Sequence, residues 1–313
     1  MILCCGEALI DMIPTPTNAG PDGFVPHAGG AVFNTAIALG RLGAQVGMLS
    51  GLSSDRFGQQ LVNGLKESHV HVSHLIVSDR PTTLAFVRLI GGHATYDFYD
   101  ENSAGCMITA DELPALSDEV SALYFGGISL ACEPGADTYA ALLARNADGR
   151  AVMIDPNIRP GFIKDIARYR GRLDRMLALA DIVKVSDEDL NWINPAPLAL
   201  RDKVADLLNN GPSVVILTRG SEGATGYLAD GAEVQVPALK TEVVDTVGAG
   251  DTFNAGVLAK MSELGQLHKD ALRCITPEVL AEALAYGAQV AAVTVSRAGA
   301  NPPWIEEMRQ GPQ

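Results

Sequence analysis

A glycine-rich stretch at residues 244–256 contains the side chains and amides best suited to chemistry. It reads Val-Asp-Thr-Val-Gly-Ala-Gly-Asp-Thr-Phe-Asn-Ala-Gly and continues with apolar residues at helical spacing. This pattern predicts a loop that leads into the N-terminus of a helix. The first amides of such a helix have no partner within it and lie at the positive end of its dipole, so they can bind a phosphate.

Asp251 is the unusual member of this stretch. A carboxylate at a phosphate-binding turn repels the phosphate, but it is useful there if it takes the proton from a hydroxyl that attacks that phosphate. The alternative is that Asp251 or Thr252 only caps the helix and the glycines only form the turn. The short motif by itself leaves both interpretations open.

The remainder of the chain must position this loop, and its pattern predicts an α/β fold. Short apolar runs alternate with helical stretches, which is typical of parallel strands covered by helices on both faces. Ligands of such sheets bind beyond the carboxyl ends of the strands. The runs are 2–5, 123–127, 151–155, 182–185 and 214–217, and polar residues follow at 155–160, 186–189 and 218–223.

A second glycine-containing motif lies at residues 29–43. Gly29-Gly30 lets a helix start close to a ligand, and small residues along the following segment suit a helix packed closely on a sheet. Asn34 is expected either to bind substrate hydroxyls or to be a buried structural amide. Asp11, which follows the first strand, is either a ligand of the substrate or a turn residue.

Composition restricts the classes of function. The chain has 313 residues, of which 47% are apolar and 19% are charged, as in globular proteins. A net charge of −14 leaves no basic surplus for a nucleic acid or an anionic membrane. No signal peptide and no apolar run long enough to span a bilayer are expected.

The cysteines indicate a reducing cytoplasm. They are odd in number and form no Cys-x-x-Cys pair, so we expect small apolar side chains and neither a disulfide framework nor a zinc site. The three histidines at 69, 71 and 74 are not expected to bind a metal, because a strand would direct them to opposite faces. The five cysteines are Cys4, Cys5, Cys106, Cys132 and Cys274.

Together, the two glycine motifs resemble the signatures of the PfkB family of carbohydrate kinases. They are more than two hundred residues apart and occur in the family's order. The resemblance implies a ribokinase-like three-layer α/β sandwich with a mostly parallel sheet, formed by residues 1–313 as one domain. It also implies a small β-sheet lid made of approximately 12–28 and 82–100, including a hairpin with its turn at Gly91-Gly92.

The resemblance assigns the catalytic and sugar-binding roles. Asp251 would be the general base, and Gly248, Ala249 and Gly250 would form the anion hole for the transferred phosphoryl group. Arg159, in an Asp-Pro-Asn-x-Arg motif, would close on the sugar or the phosphoryl group, although it could instead form a surface ion pair. The implied sugar-binding residues are Asp11, Gly29, Gly30, Asn34, Phe98 and Arg159. Phe98 is expected either to contact the substrate or to belong to the lid's own core.

The resemblance also implies ATP, Mg²⁺ and K⁺ sites. The family's Asn-x-x-Glu motif, which steers Mg²⁺ through water, is replaced here by Ser186 and Asp189 with Glu188 beside them. Asp245 lies in the region where some members hold K⁺. The implied nucleotide-binding residues are Lys184, Thr218, Gly220, Gly223, Gly250 and Asn254.

These assignments predict an ATP-dependent sugar kinase, with D-fructose as the expected acceptor and a homodimer as the expected assembly. The nearest alternative is a 2-keto-3-deoxygluconate kinase. The acidic Asp100 and Glu101 near the end of the lid argue against an acceptor with a carboxylate. A nucleoside kinase of the same family and a non-catalytic sugar-binding relative are also compatible with these motifs.

Overall fold

The computed structural model describes residues 1–18, 20–90 and 93–310. The strands are β1 Ile2–Cys5, β2 Leu9–Thr15, β3 Gly23–Gly29, β4 Val46–Leu49, β5 Gly51–Ser53, β6 Ile76–Ser78, β7 Leu84–Ile90, β8 His93–Tyr99, β9 Ala122–Gly126, β10 Ala151–Asp155, β11 Ile182–Ser186, β12 Val214–Thr218, β13 Ala224–Leu228 and β14 Glu233–Val236. The α-helices are α1 Ala31–Arg41, α2 Arg56–Glu67, α3 Gly135–Asn146, α4 Ile166–Leu177, α5 Asp187–Ile193, α6 Leu200–Asn209, α7 Ala249–Glu263, α8 Lys269–Arg273, α9 Pro277–Val295 and α10 Ile305–Gln310.

The main sheet has the strand order β14-β13-β12-β11-β10-β9-β1-β4. The strands from β12 to β4 are parallel, and β13 and β14 are antiparallel additions at one edge. Alternate residues of β1 belong to two separate core clusters, Ile2 with α1 and α7 on one side and Leu3 with α3 and α4 on the other. This three-layer arrangement confirms the predicted α/β fold.

The parallel strands bring chemically useful residues to one edge of the main sheet. Glu7 comes shortly after β1, Gly127 directly follows β9, and Asp155 is the last residue of β10. Because parallel strands end at a common edge, residues far apart in sequence meet there.

A separate small sheet lies over this edge, with the strand order β3-β2-β7-β8. β2 pairs antiparallel with β3 and parallel with β7, and β7 pairs antiparallel with β8. The segments expected to form the lid lie mostly in these four strands. The predicted turn at Gly91-Gly92 lies outside the described residues.

Close packing of α7 against α9 positions the start of α7. A Cβ at Gly256 of α7 would lie 2.7 Å from the Cα of Gly287 in α9, so both glycines are needed for this approach. Among the described residues, α9 is the one helix long and apolar enough to cross a bilayer, but it packs here against α7, and Leu280, Leu284 and Val290 are buried.

We expect Gly256→Ala to lower the free energy of unfolding by about 1–2 kcal/mol, because the strain of overpacking exceeds the helix-propensity gain of alanine. The matched control is Gly64→Ala in α2, where a new Cβ would meet only the Phe33 ring, at 3.5 Å. The free energy of unfolding of that variant should rise by about 0.4–1 kcal/mol. Urea denaturation followed by circular dichroism measures both, and equal effects of the two substitutions would contradict the packing argument.

Candidate active site

A cavity of about 560 Å³ lies between the main sheet and the small sheet. This volume is in the range of small-molecule binding sites. The main sheet contributes Asp155 and Lys184 to its wall, and the segment after β1 contributes Glu7. The small sheet contributes Leu9, Asp11, Tyr96 and Phe98. The loop before α7 contributes 246–248, and the first turn of α7 contributes Ala249, Gly250 and Asp251.

Asp251 lies in the first turn of α7 and is 8% exposed. The helix N-cap is Gly248, in the left-handed conformation with φ 76°, and no side chain caps the helix there. Asp251 instead accepts a hydrogen bond from Asn34 Nδ2 at 2.9 Å, and its carbonyl accepts one from Thr35 Oγ1 at 3.2 Å. The helix-cap interpretation of Asp251 and Thr252 is therefore wrong, and the carboxylate faces the cavity.

Burial raises the pKa of Asp251 to about 7. The hydrogen bond from Asn34 and the charge of Lys184 oppose this rise, whereas the carboxylates of Asp155 and Glu7 add to it. A carboxyl group that titrates near neutral pH is well suited to take a proton from a hydroxyl.

Two glycines at the start of α7 allow the backbone there to approach neighbouring side chains closely. A Cβ at Gly248 would lie 2.6 Å from that of Ala300. A Cβ at Gly250 would lie 3.4 Å from Lys184 Nζ, so the ammonium group lies next to the first turn of α7. The amides of this turn, those of Ala249 and Gly250 among them, are at the positive end of the helix dipole, where an anion is stabilised.

Lys184 belongs to a buried network beneath the cavity. Its Nζ contacts Asp155 Oδ2 at 2.9 Å, and Asn254 Nδ2 donates to the same oxygen at 2.7 Å and to the Tyr124 hydroxyl at 3.0 Å. Burial opposes the charge of Lys184, yet the carboxylate of Asp155 raises the pKa of Lys184 above its usual value. Asn254 is fully buried and does not line the cavity, so its role in nucleotide binding stays a prediction.

Five of the predicted sugar-binding residues line the cavity, whereas Gly29 does not; the five are Asp11, Gly30, Asn34, Phe98 and Arg159. A Cβ at Gly29 would lie 2.1 Å from Asp11 Oδ2, and one at Gly30, with φ 108°, would contact the Glu7 carbonyl. Burial raises the pKa of Asp11 to about 6. Phe98 also lines the cavity and packs edge-on against Phe162, with ring centroids 4.1 Å apart.

Arg159 reaches the cavity from the loop after β10. It is exposed, and Nη1 donates to the Ile158 carbonyl at 3.1 Å. None of the ion pairs formed within residues 1–18, 20–90 and 93–310 includes Arg159. Its guanidinium group therefore remains available to an anionic ligand.

The predicted nucleotide loop lies along the same edge of the main sheet but outside the cavity wall. Thr218 pairs with Ser186 of the neighbouring strand. Gly220 and Gly223 both have positive φ, and a Cβ at Gly223 would lie 2.2 Å from the Val236 carbonyl. The backbone conformation and the close Val236 carbonyl are thus enough to require glycine at position 223. Its contact with the nucleotide stays a prediction.

The two acidic residues proposed to steer Mg²⁺ differ in environment. Asp189 is buried and completes a capping box with Ser186; its Oδ1 accepts from the amide of Ile158 at 2.8 Å and its Oδ2 from Ser186 Oγ at 2.7 Å. The amide of Ser186 also donates to Oδ2, at 3.1 Å, so three donors engage this carboxylate and leave little acceptor capacity for water bound to a metal. Glu188 is exposed in the same turn.

Asp245 holds the loop before α7 against the segment after α9. Its two oxygens accept from the amides of Val247 at 3.0 Å and Gly299 at 2.8 Å. The Val295 carbonyl, at the end of α9, accepts from the amides of both Val244 and Asp245. The K⁺ role of this region stays a prediction.

Glu7, Asp155 and Asn157 line the cavity but were not among the site residues inferred from the sequence. Glu7 Oε1 accepts from the amide of Ala31 at 3.0 Å and Oε2 from that of Ser129 at 3.1 Å, joining the start of α1 to the segment after β9. Asn157 has φ 42°. The available signal was their position at the end of, or two residues after, predicted strands.

Comparison with known proteins adds an independent result. Residues 1–307 match the pfkB family carbohydrate kinases. A fructokinase of Rhizobium leguminosarum bv. trifolii is 53% identical over 262 residues, which cover 83% of this chain and 79% of the relative.

Two solved structures share the whole fold. Fructokinase with bound ATP from Xylella fastidiosa has a TM-score of 0.89 and 29% identity, covering 99% of this chain and 97% of the other. The second structure is aminoimidazole riboside kinase from Salmonella enterica, complexed with aminoimidazole riboside and an ATP analog. It has a TM-score of 0.83 and 26% identity, covering 99% of this chain and 98% of the other. With its ribokinase-like fold and a family match that spans nearly its full length, this chain belongs to the pfkB family of carbohydrate kinases, phosphotransferases that use an alcohol group as acceptor.

Proposed function

We propose that this protein is a fructokinase that transfers the γ-phosphoryl group of ATP to a hydroxyl group of D-fructose. The observation that carries the proposal is the buried Asp251 carboxylate, which is hydrogen-bonded to Asn34 and faces the same cavity as the first amides of α7. The fructokinase name of the relative with 53% identity supports the choice of sugar.

The proposed reaction uses the base and the amides together. Asp251 takes the proton of the sugar hydroxyl as its oxygen attacks the γ-phosphorus and the bond to the bridging oxygen of ADP breaks. The amides of Gly248, Ala249 and Gly250 stabilise the charge on the moving phosphoryl group. Arg159, which has no carboxylate partner among the described residues, supplies a further positive charge.

ATP would lie along the edge of the main sheet from Lys184 toward Thr218, Gly220 and Gly223. Mg²⁺, carried on the phosphates, would neutralise part of their charge. Glu188 suits the steering of metal-bound water better than Asp189, because Asp189 is engaged by Ser186 and Ile158. A K⁺ ion beside Asp245 is part of the same proposal, since that loop fixes the start of α7.

A neutral sugar suits the cavity better than a sugar acid. The small sheet presents the Asp11 carboxylate to this cavity, whereas Asp100 and Glu101 line a neighbouring one. A carboxylate next to Asp11 would be repelled, while neutral hydroxyls can donate hydrogen bonds to it. This argument disfavours 2-keto-3-deoxygluconate as the acceptor.

We place the enzyme in the cytoplasm and propose that it is a homodimer. All five cysteines are free, as suits a reducing compartment. The face of the small sheet turned away from the cavity carries the aromatic cluster Phe24, Phe86 and Tyr99, with Tyr99 64% exposed. A second copy would cover this apolar surface.

Release of ADP from ATP at saturating Mg²⁺ tests the function on D-fructose, 2-keto-3-deoxygluconate, ribose, adenosine and fructose 6-phosphate. We expect turnover with D-fructose and at least about a hundredfold lower kcat/KM with the others, because buried polar groups left unpaired by a wrong acceptor are costly. Preference for another acceptor would contradict the proposed sugar. Complete inactivity with all five compounds would instead favour the non-catalytic relative.

Replacing Asp251 tests the base. Asp251→Asn and Asp251→Ala should lower kcat by about 10²–10⁴-fold with little change in the KM for ATP, because the base acts only as the proton moves. The control is Asp148→Asn, at an exposed position after α3. Steady-state kinetics with ATP varied at saturating fructose measures the effect, and near-normal turnover of Asp251→Ala would exclude the assignment.

The pH dependence of kcat/KM tests the environment of Asp251. The base must be ionised and burial raises its pKa to about 7, so the rate should fall about tenfold for each pH unit below that value. Asn34→Ala removes a hydrogen bond that lowers this pKa, so the acid limb should move to higher pH. Asn194→Ala, which loses hydrogen bonds to Asp206 and to the amide of Ala196 outside the cavity, should leave the acid limb in place. An unchanged acid limb in Asn34→Ala would refute the coupling.

A further inference from the structure

We propose that Asp100, Cys106 and Cys132 form a binding site for a thiophilic divalent cation of the Zn²⁺ class. This Asp100–Cys106–Cys132 cluster is separate from the cavity that contains Asp251, and none of its members lines that cavity. Cys106 is buried, and Cys132 and Asp100 are half-buried. The spacing of Cys106 and Cys132 in the sequence gives no hint of a metal site, because the fold alone brings them together.

The donor atoms already have nearly the separations of a tetrahedral metal site. Asp100 Oδ2 lies 3.4 Å from Cys132 Sγ and 3.9 Å from Cys106 Sγ, and the three donor atoms lie within 4.8 Å of one another. With Zn–S near 2.3 Å and Zn–O near 2.1 Å, tetrahedral geometry sets the sulfur–oxygen separation at about 3.6 Å. The two sulfur–oxygen distances lie on either side of this value, so the carboxylate needs to shift by only a few tenths of an ångström relative to either sulfur.

The chemistry of the three donors selects the class of ion. Two thiols and a carboxylate suit a borderline-soft cation and disfavour Mg²⁺ and Ca²⁺, which prefer oxygen ligands alone. On binding, each thiol loses its proton to solvent, and a metal–sulfur bond replaces its hydrogen bond. Two thiolates and one carboxylate then face the divalent charge.

Backbone hydrogen bonds hold the segments that carry these ligands. The amide of Ser103 donates to the Asp100 carbonyl at 3.0 Å, and that of Gly135 donates to the Cys106 carbonyl at 2.9 Å. The amide of Ala136 donates to the Cys132 carbonyl at 2.8 Å. Such constraints keep the donors in place without the metal and so reduce the ordering cost of binding.

A second cavity, of about 670 Å³, provides access and room for a water as fourth ligand. Asp100 and Cys132 line it, as do Glu133 and Lys164. Glu133 forms ion pairs with Arg168 and Arg172, so it is not available as the fourth ligand. Lys164 opposes the cation, but the combined charge of two thiolates and Asp100 exceeds its single positive charge.

A bound ion would join the small sheet to the main sheet. Asp100 directly follows β8, and Cys132 lies in the segment after β9. Phe98, two residues before Asp100, lines both cavities. We therefore expect the ion to raise the midpoint of thermal unfolding and to restrain the end of β8 beside the sugar cavity.

The test is a titration of the full-length, reduced protein with Cd²⁺ and then Zn²⁺. Cadmium–thiolate charge-transfer absorbance reports sulfur ligation directly, and we expect one equivalent of Cd²⁺ to saturate it and Zn²⁺ to displace it. Cys106→Ser, Cys132→Ser and Asp100→Asn should each weaken binding by at least about tenfold. Cys274→Ser, at an exposed cysteine outside the cluster, should bind Cd²⁺ and Zn²⁺ as tightly as the unsubstituted protein does.

The same protein samples distinguish a metal site at the cysteines from one elsewhere. Metal-free thermal unfolding of each serine variant shows whether it is folded, and the rise in midpoint on adding Zn²⁺ should be smaller in Cys106→Ser and Cys132→Ser than in the unsubstituted protein. Cd²⁺ binding without a thiolate band, or an unchanged band in the Cys106→Ser/Cys132→Ser double variant, would overturn the site. Loss of Zn²⁺ binding in His71→Ala with retention in the cysteine variants would place the metal at the histidines and refute the proposal.

Discussion

The burial of one carboxylate, that of Asp251, is the constraint on which the rest of the site depends. Raising its pKa from 3.8 to about 7 disfavours the ionised form by on the order of 4 kcal/mol. Because the folded-state pKa is the higher one, this loss of stability is absent below pH 4, develops as the pH rises to about 7, and is complete above it. The fold tolerates this loss of stability because Asn34 and Lys184 favour the charged form of Asp251.

The partners of Asp251 come from elements distant in sequence, so the site depends on accurate packing. Asn34 lies on α1 and Lys184 on β11, and Thr35 also contacts the Asp251 carbonyl. The close approach of Gly256 to Gly287 fixes α7 along its length. Loss of one member of the Lys184–Asp155 pair would leave a buried charge, which typically costs about 3–5 kcal/mol. We therefore expect substitutions there to lower the stability of the fold that holds the site.

Much of the fold followed from the sequence because periodicity and strand composition are local signals. The apolar runs at 2–5 and 151–155 correspond to β1 and β10 with the predicted bounds. Asp251, Asn34, Gly30 and Arg159 were inferred from motifs and meet in one cavity. Glu7 and Asp155 were missed because their importance depends on which strands are neighbours, and Asn254 was predicted to bind nucleotide although it is fully buried.

The acidic character of the chain explains why positive charge must be local. With a net charge of −14, long-range attraction cannot bring an anionic nucleotide to the site. Lys184 is neutralised by Asp155, so in the proposed reaction the field at the phosphates would come from the amides of α7, from Arg159 and from the proposed Mg²⁺. These sources act over short distances, and the small sheet that covers the cavity strengthens them by excluding water. In the proposed reaction, capture of the substrates under that sheet and stabilisation of the transferred charge would therefore be consequences of the same geometry.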